Sequence, residues 1–168
     1  MPYRLAMGQF HLKLYHKFLQ TNYPIHTYFR KYKENDDRQY SRLAFSDKHM
    51  GEQLIKKGVY VRKTEIITFP EFLDNDMIRH FIRGYVDGDG SISHNKNRLY
   101  LSILGTENFL KGIQKYFPQF PTIYKFNTRD NKALYMNISA DNADQVAYRL
   151  YENASIYLDR KRDNYTAL

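Results

Sequence analysis

The sequence predicts an α+β protein whose antiparallel sheets carry helices on one side. Two patterns support this prediction: short runs in which apolar and polar residues alternate, and longer stretches in which apolar residues recur at helical spacing. Several elements occur twice in the same order, which indicates a divergent duplication of one unit. The 168 residues are enough for one ordinary domain or for two small, similar units.

We interpret residues 1–71 as a partial unit and residues 72–168 as a complete one. The partial unit lacks the opening helix and the first strand that the complete unit has. Its predicted elements are a strand at 3–7, a helix at 12–19, strands at 25–32 and 40–45, and a helix capped by Asp47.

The complete unit is predicted to run helix, strand, strand, helix, strand, strand, helix. An apolar stripe from Leu73 to Val86 predicts the first helix, with Asp74 as its N-cap. The elements that follow are strands at 91–93 and 98–103, a helix at 110–117, strands at 123–127 and 134–139, and a helix capped by Asp141.

Composition favours a nucleic-acid partner. The chain has 26 Lys plus Arg against 18 Asp plus Glu, a net charge of +8, with 16 Tyr and no Cys. Without Cys, disulfides and thiolate zinc sites are excluded. Residues 1–71 hold 13 basic and 7 acidic side chains, so most of the charge excess lies there. On composition alone, a basic protein that binds no nucleic acid remains the alternative.

The run from Phe81 to Ile92 carries the strongest chemical signal. Gly84 and Gly88 lie one helical turn apart, so two such helices could pack with their backbones close together, which offsets the low helix propensity of glycine. Asp89 follows at the helix C-terminus, where the dipole favours a cation. Its carboxylate and the Gly88 carbonyl are hard oxygen donors suited to Mg²⁺.

Other interpretations of this run exist. An Asp-Gly-Asp-Gly sequence is typical of a turn or a calcium loop, but residues 91–98 provide no bidentate Glu for the latter. Asp87 is expected to make a capping or structural contact. Lys161 lies in a basic Arg-Lys-Arg run that, taken alone, is typical of a solvated surface.

The segment from Ile82 to Gly90 resembles the motif of the LAGLIDADG homing endonucleases, and the order of elements is similar to that family's unit. The resemblance implies that motif helices form the interface between two units and that antiparallel sheets bind the DNA major groove. It implies Asp89 as a ligand of Mg²⁺ or Mn²⁺, with the Gly88 carbonyl as a second. The implied catalytic residues are Asp89, Lys161, Lys63 and Gln9, and the implied interface residues are Ile82, Gly84, Tyr85, Asp87 and Gly88.

The chain differs from the family in having one motif only. The second acid of the active site is therefore expected from a second copy of the chain, giving a homodimer, or from a separate chain that carries a motif helix. The resemblance then implies a homing-type, site-specific endonuclease for double-stranded DNA, of the kind that mobilises introns or inteins. The alternative is a DNA-binding protein that does not cleave: a regulator, an intron-splicing maturase or a decayed nuclease.

Strand alternation predicts which residues face DNA, since arginine, asparagine and serine side chains can read base edges. Residues near the hairpin tips are expected to contact phosphates. The predicted nucleic-acid-binding residues are Arg4, Arg30, Lys31, Lys33, Arg38, Arg42, Ser91, Ser93, Asn95, Arg98, Tyr100, Ser102, Lys125, Asn127, Arg129, Lys132, Tyr135 and Asn137. The polar N-terminus shows no signal peptide and no stretch is apolar enough for a membrane span, so a cytoplasmic location is expected.

Overall fold

The computed structural model of the protein describes residues 3–7, 20–33, 36–60, 65–125 and 134–166. The chain divides into two compact units, Met1–Lys56 and Lys57–Leu168. Residues 57–71 therefore group with the second unit. Each unit has its own antiparallel sheet.

The first unit contains a three-stranded sheet with the strand order β1-β3-β2. Its strands are β1 Tyr3–Met7, β2 Ile25–Lys33 and β3 Asp36–Phe45. All three predicted strands are present, and β3 begins four residues before its predicted start at 40. The helix predicted at 12–19 lies outside the described residues.

Helix α1, Lys48–Lys56, follows β3. The predicted cap is present, because Asp47 Oδ1 accepts a hydrogen bond of 2.8 Å from the Met50 amide. In β3 the side chains of Ser41 and Leu43 are buried, at 4% and 0% exposure. Since side chains alternate along a strand, Tyr40 and Arg42 lie on the opposite face.

The second unit has the seven predicted helices and strands in their predicted order, followed by one further helix. Its elements are α2 Asn75–Asp89, β4 Ser91–Asn95, β5 Arg98–Gly105, α3 Glu107–Tyr116, β6 Tyr124–Lys125, β7 Leu134–Ser139, α4 Asp141–Tyr151 and α5 Asp159–Thr166. The strand order is β4-β5-β7-β6. Lys96 and Asn97 join β4 to β5 with φ of 48° and 59°, a two-residue turn that matches the right-handed twist of a hairpin.

Helices α2, α3 and α4 pack on one face of this sheet. On β5, Leu99, Leu101 and Ile103 are fully buried against them, while the intervening residues face away from the helices. The core side chains supplied by the helices include Ile78, Ile82 and Val86 of α2, Phe109 and Ile113 of α3, and Val146 and Leu150 of α4. Burial of each large aliphatic side chain stabilises the unit by roughly 1.5–3 kcal/mol.

One local prediction is wrong. Asp141 is the first residue of α4 rather than its cap, since Ala140 occupies the cap position at φ 52° and makes no side-chain hydrogen bond. There Asp141 stabilises the helix through the dipole instead. The strand predicted at 123–127 begins one residue later, and the described residues contain its part Tyr124–Lys125, because residues 126 and 127 lie outside them.

Candidate active site and nucleic-acid interface

Helix α2 begins and ends as its sequence predicts. Asp74 Oδ1 accepts a hydrogen bond of 2.8 Å from the Met77 amide at the N-terminus. Asp89 is the last residue of the helix, and its side chain is exposed. The Gly90 amide then donates to the Val86 carbonyl over 3.0 Å. A Cβ on Gly90 would lie 2.8 Å from Val86 Cα, so this close backbone approach requires glycine.

Lys161 lies against the C-terminal end of this helix, and its side chain is buried, with 2% exposure. Its Nζ donates one hydrogen bond to the Val86 carbonyl and another, of 2.6 Å, to the Gly90 carbonyl. These two carbonyls stand on either side of Asp89 in the sequence, so Lys161 fixes the backbone that carries the carboxylate. Burial lowers the pKa of Lys161 to about 8, with a smaller contribution from the charge of Arg160.

Asp87 connects α2 to the C-terminal part of its own unit. Its Oδ1 accepts a hydrogen bond of 2.6 Å from the Tyr151 hydroxyl, and its Oδ2 accepts one of 3.1 Å from the Leu158 amide. Burial raises the pKa of Asp87, while these hydrogen bonds and the charges of Lys161 and Arg83 act in the opposite direction. The expected structural contact of Asp87 is therefore present.

Arg83 makes a second set of contacts from the same helix and is 6% exposed. Its Nε donates to the Ile156 carbonyl over 2.9 Å, and its Nη1 donates to the Leu150 carbonyl over 3.1 Å. Nη1 also lies 2.7 Å from His80 Nδ1. Buried charges persist only when they are paired or hydrogen-bonded, and these carbonyls satisfy that requirement.

Sequence reasoning did not identify Arg83 or Tyr151 as residues that organise the site. A signal for Arg83 was present, because Arg79, Arg83 and Asp87 form an i, i+4, i+8 row beside the apolar stripe of α2. Arg79 extends the same set of contacts, since its Nη1 donates to the Glu152 carbonyl over 3.0 Å. The row thus binds residues 150–158, from the end of α4 to the residue before α5. Nothing in the local sequence identifies Tyr151 as the partner.

The predicted interface residues of α2 fall into two groups. Ile82 is fully buried in its own core, and the Tyr85 hydroxyl donates to the Leu104 carbonyl over 2.9 Å. Asp87 is bonded inside the unit as well. Ile82 is therefore enclosed in its own core, while the interface roles of the half-buried Tyr85 and Asp87 stay predictions. Gly84 and Gly88 are exposed, and a Cβ on either would meet no atom within 4 Å. We call the surface around these two glycines the open side of α2.

The sheet of the second unit presents mostly neutral polar groups on the face opposite the helices, which we call the outer face. Its two central cross-strand rows are Ser91–Ser102–Asn137 and Ser93–Tyr100–Ser139. A third row begins at the hairpin end with Asn95 and Arg98. A shallow concavity of about 320 Å³ is bordered by residues of these rows together with Leu101, namely Ser91, Ser93, Asn95, Tyr100, Leu101, Ser102 and Asn137.

Tyr135 also lies on the outer face, where its ring stacks on Tyr124 with centroids 5.3 Å apart. Lys125 is also predicted to bind nucleic acid, but the strand register gives its side chain a different position from that of Tyr135. Lys125 pairs with Leu134, which in turn pairs with the buried Gly105, so it lies on the helix side of the sheet edge. Consistent with this position, Lys125 is one of the charges that lower the pKa of Glu107 at the start of α3.

The first unit holds the remaining predicted contacts. Arg30 and Lys31 are exposed, and Arg42 is half-buried. Arg4, Lys33 and Arg38 lie within strands, and Arg38 is directly opposite Arg30 in the β2–β3 register. Five predicted site residues lie outside the described residues: Gln9, Lys63, Asn127, Arg129 and Lys132.

The described residues contain no group of three or more His, Cys, Asp or Glu side chains that could hold a metal ion. Among these residues, Asp89 is the exposed acid at the end of helix α2.

Within the same described ranges, no helix is long and apolar enough to span a membrane.

Comparison with known proteins agrees with this geometry. A family model for the LAGLIDADG-like domain matches residues 76–162, more than half of the chain. A search of curated proteins finds no match. Among solved structures, the chain is similar to the I-SmaMI LAGLIDADG homing endonuclease bound to cleaved DNA, with a TM-score of 0.54 and 14% identity over 98% of this chain and 75% of that one. The chain belongs to the LAGLIDADG family.

Proposed function

We propose that this protein is a site-specific, homing-type endonuclease that hydrolyses double-stranded DNA with a divalent metal and is completed by a second motif helix. One observation carries the proposal: the open side of α2 reaches Gly88, next to the exposed carboxylate of Asp89. A helix packed on Gly84 and Gly88 can approach closely because neither has a side chain. Its own terminal acid would then come near Asp89.

The residues at the end of α2 fit Mg²⁺ or Mn²⁺ in their chemistry. The Asp89 carboxylate and the Gly88 carbonyl would contribute hard oxygen ligands. When bound, the metal would polarise a phosphate oxygen and lower the pKa of a coordinated water. The protein's part is to hold Asp89 in place, and Lys161 supports that by bonding the carbonyls of Val86 and Gly90.

One carboxylate is too few for a site of this type, which supports the need for association. Mg²⁺ prefers six oxygen ligands, and cleavage sites that use paired metals place acids on both sides of the reacting phosphate. The described residues contain no acidic cluster that could complete the site within the chain. The second acid would come from another copy of the chain or from a separate chain with a motif helix.

Lys161 is assigned a positioning role in this proposal. Its ammonium group is almost completely buried and is bonded to two main-chain carbonyls. It therefore acts on the reaction through the placement of Asp89. The catalytic roles predicted for Lys63 and Gln9 remain predictions.

The test uses duplexes recovered from a randomised DNA pool by binding to the full chain. With Mg²⁺, the wild type is expected to cleave a recovered duplex, and Asp89→Asn to bind it equally well but cleave it roughly 100-fold more slowly or worse. Asp76→Asn is the matched control, because it removes an exposed acid from the other end of the same helix. Cleavage that survives in Asp89→Asn would refute the assigned role of Asp89.

A DNA-binding protein that does not cleave is the second candidate, as a regulator, a maturase or a decayed nuclease. The single acid at the end of α2 favours it, together with the absence of a metal-ligand cluster among the described residues. If the wild type binds recovered duplexes tightly but leaves them intact with both Mg²⁺ and Mn²⁺, this second function replaces the first.

A further inference from the structure

A shallow cleft lies between the exposed side of helix α4 and the end of helix α5. It has a volume of about 540 Å³ and is lined by Asp144, Gln145, Tyr148, Tyr165 and Thr166. The opposite side of α4 packs on strands β5 and β7 and contributes Val146 and Leu150 to the core. The cleft therefore faces away from the sheet, and none of its lining residues belongs to the site at the end of α2.

Two tyrosine rings border this cleft. Tyr148 of α4 is 53% exposed, and its hydroxyl donates a hydrogen bond of 3.1 Å to Glu152 Oε1, which restrains the ring. Tyr165 of α5 is half-buried and stacks on the buried Tyr151, with ring centroids 6.3 Å apart. The face of a tyrosine ring carries partial negative charge and attracts cations. The two rings therefore favour a cationic ligand in the cleft.

Asp144 adds a negative charge to the cleft. Within the described residues, its Oδ1 is buried from solvent and has no hydrogen-bond partner. Burial raises the pKa of Tyr165, and the charges of Tyr148 and Asp144 raise it further, so these three groups lie close to one another. A buried carboxylate oxygen without a donor is unfavourable, and a positively charged N–H group would stabilise it.

We propose that the cleft between α4 and α5 binds the guanidinium group of an arginine side chain that belongs to another polypeptide. A guanidinium is planar, so it can stack on a tyrosine ring while its N–H groups bond a carboxylate. The ammonium group of lysine is compact and more strongly hydrated, and it cannot stack in this way. The inference concerns a protein partner and is independent of the proposed DNA cleavage.

The shape and charge of the cleft favour a polypeptide side chain over a free small molecule. Sites for small ligands enclose most of the ligand surface, whereas this cleft is open to solvent. An arginine on a partner needs no enclosure, because the surrounding surface of the partner holds it in place. Arginine and tyrosine are also among the residues that contribute most to binding at protein interfaces. The carboxylate of Asp144 selects a basic segment of the partner.

The experiment titrates the full chain with a glycine peptide that has blocked ends and one central arginine, and follows the tyrosine ring resonances by NMR. The peptide is expected to shift the resonances of Tyr148 and Tyr165 along a saturable curve. A matched peptide with citrulline, which has a similar shape but no charge, is expected to bind roughly 10-fold more weakly. A matched peptide with lysine is expected to bind roughly 3-fold more weakly.

Variants of the chain assign the binding to the cleft. Asp144→Asn is expected to weaken binding of the arginine peptide roughly 10-fold, whereas Asp141→Asn, an exposed acid in the same helical turn, is expected to leave it unchanged. Tyr148→Ala, read at Tyr165, is expected to weaken binding about 2- to 5-fold, and Tyr148→Phe to retain it because the ring is kept. Thermal unfolding of each variant checks that it folds.

Several results would overturn the inference. They are the absence of a saturable shift with the arginine peptide, equally tight binding of the citrulline peptide, and equal weakening in Asp144→Asn and Asp141→Asn. Spermidine, a free polyamine, is titrated in parallel. Binding of spermidine that is tighter than that of the arginine peptide, and that is lost in Asp144→Asn, would contradict the assignment to a polypeptide side chain.

Discussion

The two sides of helix α2 differ in what they contact. The side toward its own unit contributes Ile82 and Val86 to the core and binds residues 150–158 through Arg83 and Asp87. The open side presents Gly84 and Gly88, and a Cβ added to either glycine would meet no atom within 4 Å. One helix therefore both anchors its unit and leaves a surface on which another helix can pack.

The two sides of α2 therefore contribute to different processes: one side stabilises the folded chain, and the other is available for association. Substitutions on the bound side are expected to lower the free energy of unfolding of the chain itself, because they leave buried polar groups without partners. Substitutions on the open side are expected to change association while the chain still folds.

Asp87→Ala should have the largest effect. It leaves the Tyr151 hydroxyl and the Leu158 amide without their acceptor and removes the carboxylate near Arg83 and Lys161. The expected loss in free energy of unfolding is about 3 kcal/mol. Denaturant titration measures it. Asp76→Ala on the exposed first turn should cost only about 0.5 kcal/mol through the helix dipole, so equal losses in the two variants would contradict the assigned role of Asp87.

Two glycines in helices should respond in opposite directions to the same substitution. Gly84→Ala should raise the free energy of unfolding by about 0.5–1 kcal/mol, because alanine favours helix and the open side has room. Gly112→Ala should lower it by about 1–3 kcal/mol, because the new Cβ would approach within 2.5 Å of the Phe69 side chain. Denaturant titration at low protein concentration compares the two, and destabilisation by Gly84→Ala would show that the open side is already occupied.

The smallest expected effect is the pH dependence that Lys161 confers. Burial lowers its pKa to about 8 from its ordinary value of 10.5. Between these values the unfolded chain binds more protons, so the contribution of Lys161 to the free energy of unfolding rises with pH. The wild type should gain about 1 kcal/mol relative to Lys161→Met between pH 7 and pH 9. Lys115→Met, an exposed control, should show no such gain, and parallel curves for the wild type and Lys161→Met would refute the burial of the charge.

The sequence predicted the elements of the second unit because their patterns are local. The cap at Asp74, the end of α2 at Asp89 and the alternation in β5 each depend on neighbours along the chain. The face on which Lys125 lies follows from its pairing with Leu134, since an offset of one residue in a register reverses a side chain.

The environment of Lys161 could not be predicted from its neighbours. Its basic run is typical of a solvated surface, yet α5 places it against carbonyls of residues 86 and 90, which are far away in sequence. Likewise, the pairing of Asp87 with Tyr151 depends on how α2 packs on α4. Contacts of this kind follow from tertiary packing, and a local pattern contains only one of the two partners.

In the proposed mechanism, a second motif helix packs on the open side of α2 and completes the site. The most direct test is the number of protein chains on a recovered duplex in the presence of Mg²⁺, measured by sedimentation or native mass spectrometry alongside cleavage. Each cleaving complex is expected to contain two motif helices, and Gly84→Leu is expected to abolish both association and cleavage while the chain remains folded. Double-strand cleavage by a complex with one chain, lost in Asp89→Asn but retained in Gly84→Leu, would contradict it.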